Sequence, residues 1–95
     1  MSSLITLETR LRQAPGVAFN QQEEGAVLLH MGDGLYFGLN PVGALIWDAL
    51  VAEGEVGAAL RVMTDRFPDV DPGRIKQDLL HLADELVTKG LLRHA

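Results

Sequence analysis

The chain has 95 residues, 47% of them hydrophobic and 22% charged, which bounds it to one small globular domain with a single modest core. Thirteen Asp and Glu against eight Lys and Arg leave a net charge of −5, which argues against nucleic acid as a partner, since phosphate binding needs a basic face. With no cysteine there is no disulfide framework and no thiolate chemistry, which fits a reducing, cytoplasmic setting. The opening MSSLITLETRLRQAPG lacks the apolar run of a secretion signal, and no stretch approaches the ~20 apolar residues of a membrane span.

In chain order, residues 4–11 alternate in part and could add a short strand before the Pro15-Gly16 turn. Val17–Gln22 reads as a first strand, followed by the turn QQEEG. Ala26–His30 reads as a second strand, followed by MGDG, whose glycines suit a tight turn with positive φ. Leu35–Leu39, LYFGL, is a third strand. Turn signals at near-even spacing predict an antiparallel meander.

The apolar period then changes from 2 to 3.6. Asn40 is a good N-cap and Pro41 a good first helical residue. Val42, Leu45, Ile46, Ala49 and Leu50 share one face of a helix that Gly54 ends. A second helix spans Val56–Phe67, with Ala59, Leu60, Met63 and Phe67 inward, and Pro68 stops it. Asp71-Pro72 opens a third helix that reaches Lys89, with Gly90 as its C′ residue. Strands followed by helices define an α+β fold.

The third helix is unusually apolar. Ile75, Leu79, Leu82 and Leu86 form one stripe, and Leu80, Ala83 and Val87 a second. Together they span roughly 160°, wider than the ~100° that facing one core requires. Gln77, His81, Asp84, Glu85 and Thr88 take the opposite, solvent side. Either neighbouring elements cover the whole arc, or part of it floors a groove for a partner. The third strand poses the matching question. In a meander it is an edge, and edges are usually guarded by charge, proline or a bulge. Leu35, Tyr36, Phe37, Gly38 and Leu39 provide none of these, and Gly38 lets another backbone approach. The edge is covered by another part of the chain, pairs with a second copy in a homodimer, or accepts an extended peptide as an added strand.

No catalytic set emerges. His30, His81 and His94 lack metal-ligand spacing, Asp69 and Asp71 suit the start of the third helix, and Glu23-Glu24 suits a solvated turn. Trp47, at helical spacing with Ile46 and Leu50, reads as core or half-buried, with stacking on a ligand as the alternative. The chain is therefore read as a non-enzyme without cofactor or metal.

LYFGLNPVGALIWDAL, followed by two further helices and LADELVTKGLL, resembles the PqqD-like proteins, the recognition elements of ribosomally made, post-translationally modified peptide (RiPP) biosynthesis. The resemblance rests on Tyr36, Leu39, Asn40, Gly43, Ile46 and Trp47, then on Leu86, Gly90, Leu91 and Leu92, and covers about 17–92 of a single domain over 1–95. Gly34, Tyr36, Leu39, Asn40, Gly43, Ala44 and Ile46 are most similar to the stand-alone proteins of lasso-peptide clusters. The resemblance implies a winged-helix-like domain, a three-stranded sheet followed by three helices. It also implies binding of a precursor's leader region and its presentation to a separate leader peptidase or modifying enzyme. The implied peptide site is Leu35–Leu39 with Arg74, Ile75, Asp78, Leu79, Leu82 and Ala83 on the third helix. Two alternatives stay open: a PqqD-like chaperone for a radical peptide-modifying enzyme, and a non-catalytic dimerisation module.

Overall fold

The computed structural model describes residues 5–95. The chain runs β1 (Leu11–Gln13), β2 (Val17–Gln22), β3 (Gly25–His30), β4 (Leu35–Leu39), α1 (Pro41–Glu53), α2 (Val56–Arg66), α3 (Pro72–Thr88) and β5 (Leu92–His94). β2, β3 and β4 form an antiparallel sheet in that order, followed by the three helices, so the α+β frame read from the sequence is the observed one. β1 and β5 form a separate two-stranded ribbon, with Leu11 opposite His94, Arg12 opposite Arg93 and Gln13 opposite Leu92.

The ribbon corrects the reading of the N-terminal segment. Leu4 lies outside the described residues, and no strand forms over 5–9. There the Thr6 N–H donates to Thr9 Oγ1 at 2.8 Å and the Thr9 N–H to the Thr6 carbonyl at 3.1 Å. Hydroxyls that satisfy nearby backbone groups compete with a strand ladder. The strand starts only at Leu11, beyond these bonds.

Local chemistry sets the junction between sheet and helices. Gly25 opens β3 at φ +112°, and a Cβ there would collide with the Leu39 carbonyl oxygen at the end of β4. Only glycine allows the two strands to close so tightly. One residue later the chain is helical: Asn40 Oδ1 accepts from the Gly43 N–H at 2.7 Å and Pro41 takes the first helical position. Such a cap is worth about 1 kcal/mol. α3 starts the same way, with Asp71 accepting from the Gly73 N–H at 3.4 Å. It ends with the Leu91 N–H on the Leu86 carbonyl and the Gly90 N–H on the Val87 carbonyl, the paired bonds of a glycine-terminated helix.

The core lies between the inner face of the sheet and the helices. Leu28, Leu50, Val56, Ala59, Leu79, Ala83, Leu86 and Leu91 have no exposed surface, and Trp47 is buried with them. On α1 the buried arc is Gly43, Ala44, Ile46, Trp47, Ala49 and Leu50. Val42 stands 46% exposed and Leu45 half-buried, contrary to the expected inward face. The helix packs on α2 as well as on β3, which draws Ala44 and Trp47 inward and turns Val42 out. On α3 the buried line is Ile75, Leu79, Ala83 and Leu86, taken from both apolar stripes, with Leu80, Leu82 and Val87 at its margins.

Candidate functional site

β4 is an edge of its sheet: among the described residues it pairs with β3 alone. Its register sets Leu35, Phe37 and Leu39 opposite His30, Leu28 and Ala26, on the face toward the helices. Tyr36 and Gly38 alternate to the other face, where Tyr36 is 70% exposed and the space around Gly38 is open. Along a paired edge, alternate residues turn their N–H and C=O groups outward, where an incoming strand can bond them. With no charge, proline or bulge over five residues, nothing in β4 opposes such pairing.

A groove of about 700 Å³ runs beside that edge. One wall is Phe37, Gly38 and Leu39 of β4. The end is closed by Asn40, Val42, Gly43 and Ile46 from the first turns of α1. The other wall is α3, through Asp78, His81, Leu82 and Glu85. A second cleft of about 370 Å³ shares Val42, Ile46 and Asp78 with it. That cleft continues past Met63, Phe67, Val70, Arg74 and Ile75 toward the end of α2. The lining is largely apolar at the floor and acidic along α3. Two basic groups lie nearby: Arg74 lines the second cleft, and Lys89 Nζ lies 5.9 Å from the Phe37 ring centroid. That separation is within cation–π reach.

Phe37, Gly38 and Leu39 line the groove, Leu35 sits half-buried at the hairpin end, and Tyr36 projects from the opposite sheet face. Asp78 and Leu82 line the groove, and Arg74 and Ile75 the adjoining cleft. Leu79 and Ala83 have no exposed surface. They support the floor from behind, because the line that packs α3 on the core runs through them. Sequence reasoning missed Asn40, Val42, Gly43, Ile46, His81 and Glu85. For His81 and Glu85 the helical period was sound, but the side facing water is also the side facing an open groove. A signal for the α1 residues was available: they directly follow the bare edge and so had to lie at its end.

Among the described residues no group of three His, Cys, Asp or Glu is placed to hold a metal ion, and the one close contact between a carboxylate and a basic side chain is His30 Nδ1–Asp33 Oδ2, at 3.7 Å. Among the described residues no polar or charged side chain is buried. What the site offers is an unpaired backbone, an apolar trough and a charged rim.

The winged-helix-like α+β fold is shared with solved structures of proteins in complex with leader peptides. "TbiB1 in Complex with the TbiA(beta) Leader Peptide" superposes with a TM-score of 0.76 at 28% identity, covering 85% of this chain and 93% of that one. "Lasso peptide synthetase B1 complexed with the leader peptide" gives 0.76 at 25% identity, covering 87% and 96%. The chain belongs to the family described as Coenzyme PQQ synthesis protein D (PqqD), which matches residues 25–92. No curated protein matches it significantly.

Proposed function

We propose that the chain binds the leader region of a ribosomally made precursor peptide, of lasso type, and presents it to a separate processing enzyme, a leader peptidase. The leader adds as a fourth strand on Leu35–Leu39, and its apolar side chains enter the groove toward Val42, Ile46, Ile75 and Leu82. Arg74 and Asp78 select polar neighbours. The chain does no chemistry itself and acts in the cytoplasm as one domain over 1–95. The observation that carries this reading is the conjunction of an unguarded edge strand with a groove alongside it. Family membership and the two leader-bound relatives support it.

Strand addition makes a specific demand on amide exchange. A lasso-precursor leader, the TbiA(beta) leader as first probe, should slow exchange at the outward amides of β4 and leave β2 unchanged. The same leader and random duplex DNA are then titrated at low and moderate salt. Backbone pairing and apolar anchors predict leader binding that salt weakens only modestly, and no tight DNA binding. DNA binding that falls steeply with salt, with no leader binding and no protection at β4, would replace this reading by a nucleic-acid role.

A further inference from the structure

The acidic chain concentrates positive charge in one place that the groove does not use. Arg10, Arg12 and Arg93, three of the eight Lys and Arg residues, lie on or beside the β1–β5 ribbon. Residues opposite each other in an antiparallel pair share a face, so Arg12 and Arg93 stand side by side, their Cβ atoms about 4.5–5.5 Å apart. Arg10, two residues along β1, faces the same way. All three are exposed, and among the described residues no carboxylate comes within 4 Å of any of them. Glu55, whose backbone bridges to Arg10, does not ion-pair with it.

Like charges directly opposite on a sheet are destabilising. In a ribbon of three residues a side, that penalty falls on the outer face while Leu11 and Leu92, both buried, hold the inner face. The arginine pair therefore opposes the fold rather than serving it. Beside it a cleft of about 490 Å³ is walled by Ala14, Pro15 and Val87 and rimmed by His30, Arg93 and His94.

The ribbon contributes no residue to the groove. The first turns of α1 close the groove, whereas the residue after its last turn, Gly54, accepts the Leu11 N–H at 3.0 Å. Thirteen helical residues separate these ends, about 20 Å at 1.5 Å per residue. No ribbon residue lines the groove, so the two surfaces can be occupied together.

We propose that the β1–β5 ribbon is a second docking surface that takes an acidic segment of a partner protein. Resting on the leader-binding reading, that partner is the enzyme to which the leader is passed. Guanidinium forks bind carboxylates in a bidentate, oriented way. The chain's net negative charge repels an acidic partner elsewhere on the surface, so the ribbon also dictates how that partner approaches.

The test is titration of ¹⁵N-labelled full chain with hexaglutamate, with hexalysine as control. Hexaglutamate should shift the amides of Leu11–Gln13 and Leu92–His94, and hexalysine should not. Arg12→Glu sets a carboxylate opposite Arg93, so the melting temperature should hold or rise while hexaglutamate binding weakens about fivefold or more. Arg93→Gln gives an independent variant without charge reversal and should weaken binding in the same direction. Absent shifts, shifts that map to the groove, or binding that survives both variants would overturn the proposal. So would dimerisation of the peptide-free chain that Arg12→Glu abolishes, which assigns the ribbon to a second copy. Duplex DNA that displaces hexaglutamate from the ribbon would also overturn it. The titration needs no leader, so its failure leaves leader binding standing, and loss of leader binding leaves the ribbon's result intact.

Discussion

Val42→Asp separates recognition from stability more cleanly than any other substitution in the groove. Val42 is 46% exposed and lines both the groove and the adjoining cleft. Full burial of a valine side chain is worth about 1.5 kcal/mol at the low end. Nearly half of that, ~0.7 kcal/mol, is still available to a docking peptide. A carboxylate in its place forfeits this contact and must shed water against an apolar anchor, a further 1–3 kcal/mol or so. The sum, about 2 kcal/mol or more, is roughly thirtyfold in Kd. The fold responds differently. Loss of the already buried half costs ~0.7 kcal/mol. A negative charge in the first turn of α1, which now carries none, returns about 0.3–1 kcal/mol through the helix dipole. The melting temperature should therefore barely move. The assay is fluorescence anisotropy of a labelled leader, run beside a thermal melt. Val42→Ala should lose only about threefold, since it removes apolar contact without adding charge. If Val42→Asp keeps Kd within about threefold while melting normally, no peptide side chain reaches Val42 and the groove is not the anchor site.

Gly25→Ala should cost about 2 kcal/mol or more, because the new methyl meets the Leu39 carbonyl at a φ that alanine resists. Urea denaturation should show a lower midpoint at unchanged slope, with leader affinity falling as the end of β4 is displaced; stability equal to the parent would refute the close approach. Leu79→Ala should lose about 2–5 kcal/mol of stability by opening a cavity, yet keep leader affinity within about twofold at temperatures where it stays folded. Weakened binding by the folded variant would mean that Leu79 reaches the peptide after all.

The elements that could be read from sequence were those with local punctuation. β2 and β4 begin and end at turn residues, and α1 and α3 announce themselves by a capping side chain followed by proline. Each of these signals acts within a few residues of where it stands. The β1–β5 ribbon has no such signal. Leu11–Gln13 and Leu92–His94 are three-residue strands whose partners lie at opposite ends of the chain. Neither run is long enough to show a period. The groove was half legible for a related reason. An uncharged edge strand and an over-wide apolar arc are visible as anomalies in one dimension. Which residues of α3 face the edge depends on how the helix is rotated on the core. The buried line through Leu79 and Ala83 took two residues expected to touch peptide and left His81 and Glu85 on the wall.

Because Leu11 pairs with His94, and the Ala95 N–H donates to the Arg10 carbonyl at 3.0 Å, the first and last strands of this fold lie side by side. The residues before the first strand pack on toward α2, with Ile5 buried and the Leu7 carbonyl accepting from the Gly57 N–H at 2.8 Å. A unit whose first and last strands are neighbours can be inserted into a surface loop of a larger protein, provided the linker on the N-terminal side clears the packed segment over 5–9. Held by both ends, it would project its groove away from the junction at a fixed angle, whereas attachment by one end alone lets it swing. The same pairing favours circular permutation, with a linker from Ala95 long enough to run past the packed segment over 5–9. New ends can then be cut between Glu23 and Glu24, in the exposed turn that joins β2 to β3. Such a permutant would keep β4 and α1 contiguous and so carry the whole recognition surface in its uninterrupted stretch.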